Sequence, residues 1–476
     1  MADKIIIKKG LDLPIGGTAE RRITDATYIA NYAVKPTDFV GLTPRLLVSE
    51  GDHVSAGTPL FCEKQDERIL FTSPVSGVVK AIVRGEKRRL LAVVVQTIPE
   101  DNSADASGLQ LSTKELMLKS GLWTMLRQRP FGTVPSPDSM PKAIVVSCFD
   151  SAPFGVDYDF VLQGRENDFV KGLEMLATLT EGKIHVCFKE GHIPQSLQNG
   201  SPIGEQIKAH VVTGPHPAGN VGTLIARLCP INKGEQVWTM NPQDIATLGH
   251  LQNTGVYQPE RVIAVAGPSA RNPHYYRIRV GACVESLVGE QVFHGDYPDL
   301  TNQNSQIHPI RIISGNVLSG TQIERDSFLG AYDNLISLLP EGEYYDFMGW
   351  LMPGLKKYSF SRTFISGLLR MLGKIGLRGM EKAYTEARPY KFDTNVHGSV
   401  RPLVFTGNFE QVFPFDIYPL QLLKACIVGD LELMEKLGIY EVEPEDFALC
   451  EFIDTSKTDI QSIVREALEK LRKEAI

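Results

Sequence analysis

The sequence predicts a multidomain α/β protein, and three observations carry that prediction. Its 476 residues are too many for one hydrophobic core. Between Gly51 and Val79, short runs rich in Val, Leu, Ile and Phe alternate with glycine-centred turns, the pattern of a small antiparallel barrel. From about Ser112 onward, apolar strands alternate with helical stretches, as in a mostly parallel sheet covered by helices.

Composition narrows the class. Hydrophobic residues make up 43% and charged residues 22%, as in a soluble globular protein. The net charge of -7 argues against bulk nucleic-acid binding. Apolar runs such as Leu90 to Val95 are too short to span a bilayer, and the apolar core of the first nine residues is too short for a signal peptide. Seven cysteines are scattered without a CxxC, which predicts reduced cytoplasmic thiols and no metal or iron–sulfur centre built by this chain alone.

The elements follow in order. Residues 1–100 read as the barrel domain: a strand at Ile5 to Ile7, a turn-rich lead from Lys8 to Gly17, then the barrel to about Thr97. Gly51, Gly57 and Gly77 supply its turns. Pro99 to Gly108 is polar and acidic, a linker. Residues 101–258 read as a Rossmann-like α/β domain. Ser112 and Glu115 fit a capping box, and Lys142 to Cys148, Lys183 to Phe188 and His210 to Thr213 read as strands. Phe169, Leu173, Leu176 and Ala177 mark one helix face. Residues 259–330 hold two strands, a short helix and a return strand at Ile310 to Ser314, which suggests a β-grasp. Residues 331–400 form a basic insertion. From Met352 to Lys382, seven Lys or Arg face one acid, Glu381. Residues 401–476 read as helical. Thr458 with Gln461 suggests a second capping box, and Ile460, Ile463, Val464, Ala467, Leu468 and Leu471 form an apolar stripe.

The barrel pattern resembles biotinyl and lipoyl carrier domains. Those carriers present a modifiable lysine at a hairpin tip. Here the tip runs from Glu63 to Arg68, and Lys64 is its only lysine, without the neighbour those families place beside it. A scaffold role is the main reading. A stand-alone enzyme using Lys64 as a biotinyl or lipoyl arm is the alternative.

Longer motifs are more specific. Lys8 to Pro14, Gly121-Leu122-Trp123 with Arg129-Pro130-Phe131, Gly214 to Gly219, and Phe447 to Cys450 occur in the order seen in the A subunits of Na+-translocating NADH:quinone oxidoreductases. The chain resembles that family over nearly its whole length. Its middle is also similar to the NADH-binding flavoprotein subunit of respiratory complex I, whose glycine-rich flavin loop lies where Trp123 to Gly132 lies here. Only Gly132 remains of such a cradle, and the C-terminal iron–sulfur motif is missing.

The resemblance implies a peripheral subunit on the cytoplasmic side of the inner membrane, bound to the other subunits of the complex. The assembled complex would use NADH, flavins, quinone and Na+. This chain would hold no tightly bound cofactor and would handle quinone or give structural support. The loop Gly214 to Gly222 follows a strand, where α/β sheets tend to bind ligands, and lacks the spacing of a dinucleotide loop. Gly214, His216 and Gly219 are therefore candidate quinone contacts, with His216 donating a hydrogen bond or a proton. The simpler reading is a rigid turn with a surface histidine. Trp123, Arg129 and Phe131, with Arg127, are candidate pocket residues; otherwise the aromatics pack in the core and the arginines are solvated. Lys356, Lys357, Arg370 and Lys374 are candidate docking residues, beside an apolar side formed by Ile365, Leu368, Leu369, Leu372 and Ile375.

Overall fold

The computed structural model describes residues 3–26, 28–98, 104–105, 111–191, 206–291, 309–344, 358, 360, 390 and 392–474. The docking candidates Lys356, Lys357, Arg370 and Lys374, and the stretch from Met352 to Lys382 except residues 358 and 360, lie outside these residues.

The barrel consists of two antiparallel sheets. One orders Asn31–Val34, Leu90–Thr97, Gly77–Arg84 and His53–Val54; the other orders Pro44–Leu46, Pro59–Glu63 and Leu70–Thr72. Strand alternation sends Leu60, Phe71, Val79, Val93 and Val95 inward, all nearly fully buried. Phe61 stacks on Phe71 with ring centroids 4.7 Å apart. The first strand of the barrel sheets themselves is Asn31–Val34. Asp3–Ile6 pairs with Ile207–Thr213, and Glu20–Asp25 pairs with His274–Arg279. The chain start thus threads two other sheets before the barrel forms.

The second sheet has six strands, ordered Asp3–Ile6, Ile207–Thr213, Lys183–Lys189, Ala143–Ser147, Val237–Thr239 and Arg127–Arg129. The first five are parallel, and the last is an antiparallel edge. Both faces are covered, as a parallel sheet requires. Ile144 and Val146 join a core with Phe169, Leu173 and Leu248. Ala143 and Val145 join Leu224 and Ile225 from the helix Val221–Leu228. The Ser112 capping box is formed, with both reciprocal hydrogen bonds in place.

The third sheet orders Glu20–Asp25, His274–Arg279, Glu260–Ala266, Leu335–Pro340, Ile310–Ser314 and Thr321–Ile323, with parallel and antiparallel pairs mixed. It shares one continuous apolar core with the barrel and one face of the second sheet. At the junction a buried Arg261 pairs with Asp244 at 2.6 Å. A cavity of about 40 Å3 there, lined among others by Phe39, Leu122 and Leu329, admits only a few waters.

The C-terminal helices Phe409–Val412, Pro419–Val428, Leu431–Lys436, Ala448–Ile453 and Ile460–Glu474 enclose a separate core. Ile460, Val464, Ala467, Leu468 and Leu471 face it, as their spacing predicts, with Ile463 packed at its edge. The second capping box does not form. Asp459 accepts from the Ser462 N–H at 3.3 Å, and the Thr458 hydroxyl is buried without a partner. The chain turns into the helix one residue later than the sequence pattern suggests.

Candidate functional site

Four segments converge where the second sheet meets the C-terminal helices. Two follow the carboxyl ends of parallel strands: residues 148–157 after Ala143–Ser147, and residues 214–220 after Ile207–Thr213. The third is the turn after Arg127–Arg129. The fourth is the C-terminal acidic run Glu443-Pro444-Glu445-Asp446.

The 214–220 loop is locked from both sides. The Gly219 N–H donates to Ser151 Oγ at 2.8 Å, and Ser147 Oγ donates to the Gly219 carbonyl at 2.8 Å. Gly214, at φ +142°, lies so close to the first strand that a Cβ there would sit 2.2 Å from the Ile7 carbonyl oxygen. The His216 N–H donates to Asp12 Oδ1 at 2.8 Å, and its ring Nδ1 lies 3.0 Å from Ser151 Oγ. His216 is 3% exposed, so it is not a surface histidine. Burial outweighs the attraction of Asp12 and Glu445 and pushes its pKa down to about 4, leaving a neutral ring at pH 7.

Arg129 is not solvated either, whereas Arg127 keeps 29% of its side chain exposed. Arg129 is 4% exposed. Its Nε lies 3.2 Å from Glu443 Oε1, its Nη1 3.1 Å from Asp446 Oδ2, and its Nη2 pairs with Glu445. Arg127 Nη2 lies 3.3 Å from Glu443 Oε2. Burial would lower the Arg129 pKa, but the three carboxylates hold it above the ordinary arginine value. Burial, with Glu445 and Glu443 beside it, pushes Asp446 well above the usual carboxylate range against the pull of Arg129. Burial also raises Asp150, to about 6.

Phe131 sits at φ +85°, a conformation that costs a bulky residue about 1–3 kcal/mol. Its carbonyl accepts from Arg465 Nη1 at 2.8 Å, and its ring meets Tyr440 edge-on, so the C-terminal helices hold it there. Trp123 is fully buried, edge-to-face with Trp238, and donates its indole N–H to the Pro135 carbonyl at 2.9 Å.

Asp446 also approaches the start of the helix Val221–Leu228. A Cβ on Gly222 would lie 2.3 Å from Asp446 Oδ1, so only glycine admits the carboxylate there. A helix N-terminus after a parallel strand is where an α/β fold binds a ligand's phosphate. Here the chain's own acid occupies that place.

The structure brings His216, Gly219, Arg129 and Phe131 together around a largely buried centre, with Asp12 exposed at its edge, and sets Trp123 apart. Asp12, Ser151, Glu443, Glu445, Asp446 and Arg465 belong to the same cluster and were missed in the sequence. The signal was the Glu443-Pro444-Glu445-Asp446 run, an acidic stretch just before an apolar helix. Among the described residues no group of three or more His, Cys, Asp or Glu is placed to share a metal, and no helix is long and apolar enough to cross a membrane.

Comparison with known proteins identifies the family. Residues 5–98 match "NqrA N-terminal barrel-sandwich hybrid domain", residues 110–257 "NqrA second alpha/beta domain" and residues 262–297 "NQRA C-terminal domain". The chain is 36% identical over 479 aligned residues to the A subunit of the Na(+)-translocating NADH-quinone reductase of Vibrio atlanticus, covering 99% of this chain and 100% of that one. It is equally identical to the proteins of the same name from Rhodopirellula baltica, covering 98% of each chain, and from Tolumonas auensis, covering 99% and 100%. The chain therefore belongs to the family of A subunits of the Na(+)-translocating NADH-quinone reductase.

Proposed function

We propose that this chain is a peripheral, cytoplasmic-side platform of a Na(+)-translocating NADH-quinone reductase, holding the other subunits in place and carrying no tightly bound cofactor of its own. NADH, flavins and Na+ are then handled elsewhere in the complex. The observation that carries this reading is the filled ligand crevice. Asp446 and its acidic neighbours occupy the strand ends and helix N-terminus where an α/β fold takes an anionic ligand. The same reading divides the chain into a barrel-type domain (1–100), a Rossmann-like domain (101–258), a β-grasp domain (259–330), a basic insertion (331–400) and a helical domain (401–476). The insertion docks the chain to the membrane or its embedded subunits through Lys356, Lys357, Arg370 and Lys374.

The carrier alternative has no such support. The Lys64 hairpin is tied to the second sheet's domain by Arg68, which pairs with Asp138 at 2.6 Å.

Quinone handling is a second reading, favoured by one observation. Trp123 and Trp238 lie beneath a groove of about 650 Å3 that also exposes Met140. Quenching of tryptophan fluorescence by a short-chain quinone, relieved by Met140→Glu, would support it.

One experiment separates the two readings. In the whole complex carrying Met140→Glu, the platform role predicts full recovery of this chain with membranes and normal quinone reduction per assembled complex. Full recovery with lost quinone reduction, while NADH oxidation by an artificial acceptor persists, would overturn the platform role.

A further inference from the structure

A second groove, of about 580 Å3, runs between the barrel and the end of the last helix. That size suits a small-molecule site. Its floor includes Leu42, Leu46 and Leu90. Its rim is cationic. Arg84, Arg88 and Arg89 come from the hairpin joining two barrel strands, Arg472 and Lys473 come from the helix Ile460–Glu474, and Glu469 is the one acid among the lining residues.

Cations in a last helical turn are ordinary, because they complement the helix dipole. Exposed hairpin arginines are ordinary too. Five cations around one concave, partly apolar groove are not, in a chain of net charge -7. Among the described residues, no carboxylate pairs with Arg88, Arg89, Arg472 or Lys473. Arg472 carries the sharper signal: its Nε is buried and has no hydrogen-bond acceptor. Its guanidinium packs against Gly41, where a Cβ would lie 2.7 Å from the guanidinium carbon, so the glycine makes room for it. The hairpin tip holds Lys87 at φ +52° and Arg88 at φ +60°, a backbone that other residues adopt more easily.

Four of the five cations are arginines, whose planar forks match phosphate oxygens in pairs. A flat polyanion such as a nucleic acid would meet the negative charge of the whole chain, whereas a small ligand meets only the groove. We propose that this groove binds a phosphate-bearing ligand whose apolar or aromatic part rests on the leucine floor.

The test uses the full-length chain and two charge-matched double variants. Arg88→Gln with Arg89→Gln removes two rim cations. Lys87→Gln with Lys470→Gln removes two neighbouring cations that do not line the groove. Binding of pyrophosphate and of ADP is measured by calorimetry, and binding to phosphatidylglycerol vesicles by co-sedimentation against phosphatidylcholine vesicles. The expected result is binding of at least one phosphate probe, about tenfold weaker or more in the rim variant and unchanged in the control. Binding of ADP or pyrophosphate identifies a soluble phosphate, and binding of phosphatidylglycerol alone identifies a lipid headgroup; either supports the proposal. No binding of any probe, binding unchanged in the rim variant, or equal weakening in both variants overturns it.

Discussion

At the residue scale, the chain concentrates its electrostatics in one buried cluster. Arg129 is enclosed by Glu443, Glu445 and Asp446, and removing one partner of a buried ion group leaves the others uncompensated. Arg129→Met should therefore lower stability by about 3–5 kcal/mol, read as a shift in urea denaturation. A loss below about 1 kcal/mol would mean that water screens the cluster. His216 gives a pH signature of definite sign. Its folded pKa of about 4 lies below the free value of 6.5, so the unfolded chain binds the extra proton between them. This contribution is fully present above about pH 6.5 and is lost as pH falls toward 4, amounting to about 3 kcal/mol. Asp150 and Asp446 work in the opposite direction. Their folded values are raised, so their share is present at low pH and fades as pH rises through the folded values. His216→Ala should cost about 1–3 kcal/mol at pH 7.5 and flatten the fall in melting temperature between pH 6.5 and 4. An unchanged slope there would place the titration elsewhere.

At the element scale, short segments hold larger ones in register. The strand Asp3–Ile6 closes one edge of the second sheet, and its approach to the 214–220 loop tolerates no side chain at Gly214. Gly214→Val should free the first strand, seen as faster proteolytic clipping near the N-terminus while the remaining fold persists. Equal clipping rates would show that the loop can yield. In the last helix Leu468 is 1% exposed, and Leu468→Ala should cost about 2–5 kcal/mol by leaving a cavity in the C-terminal core.

At the scale of the whole molecule, the barrel and the two six-stranded sheets share one continuous core, and the helical region is joined to them through ion pairs and through apolar contacts such as Phe131 on Tyr440. The cavity at their junction admits no more than a few waters. The purified chain should show no flavin absorbance after gel filtration; a persistent flavin band would contradict the cofactor-free reading. In the basic insertion, each Lys or Arg near an anionic membrane is worth about 1 kcal/mol, and salt screens that gain. Reversing Lys356, Lys357, Arg370 and Lys374 to Glu should reduce recovery with membranes, most at low salt where the original cations are least screened, while the melting temperature barely moves. Recovery at full yield would reduce the segment to a solvated surface.

Local pattern determined much of this protein by itself. Glycine-spaced apolar runs announce the barrel, short continuous apolar runs place strands of the second sheet, a period of 3.6 places the last helix, and Ser112 with Glu115 marks a helix start, because these features depend on neighbours a few residues apart. Ordered motifs spread over the whole chain carry the family. The tertiary structure alone decided where residues 3–25 pair, since a strand's partner two hundred residues away leaves no local trace. It also decided what the arginines do. Arg129 and Asp446 are 317 residues apart and meet only when the helical region folds onto the sheet. A sequence shows that a residue is charged, but burial and pairing, which set its energy and its pKa, are properties of the assembled fold.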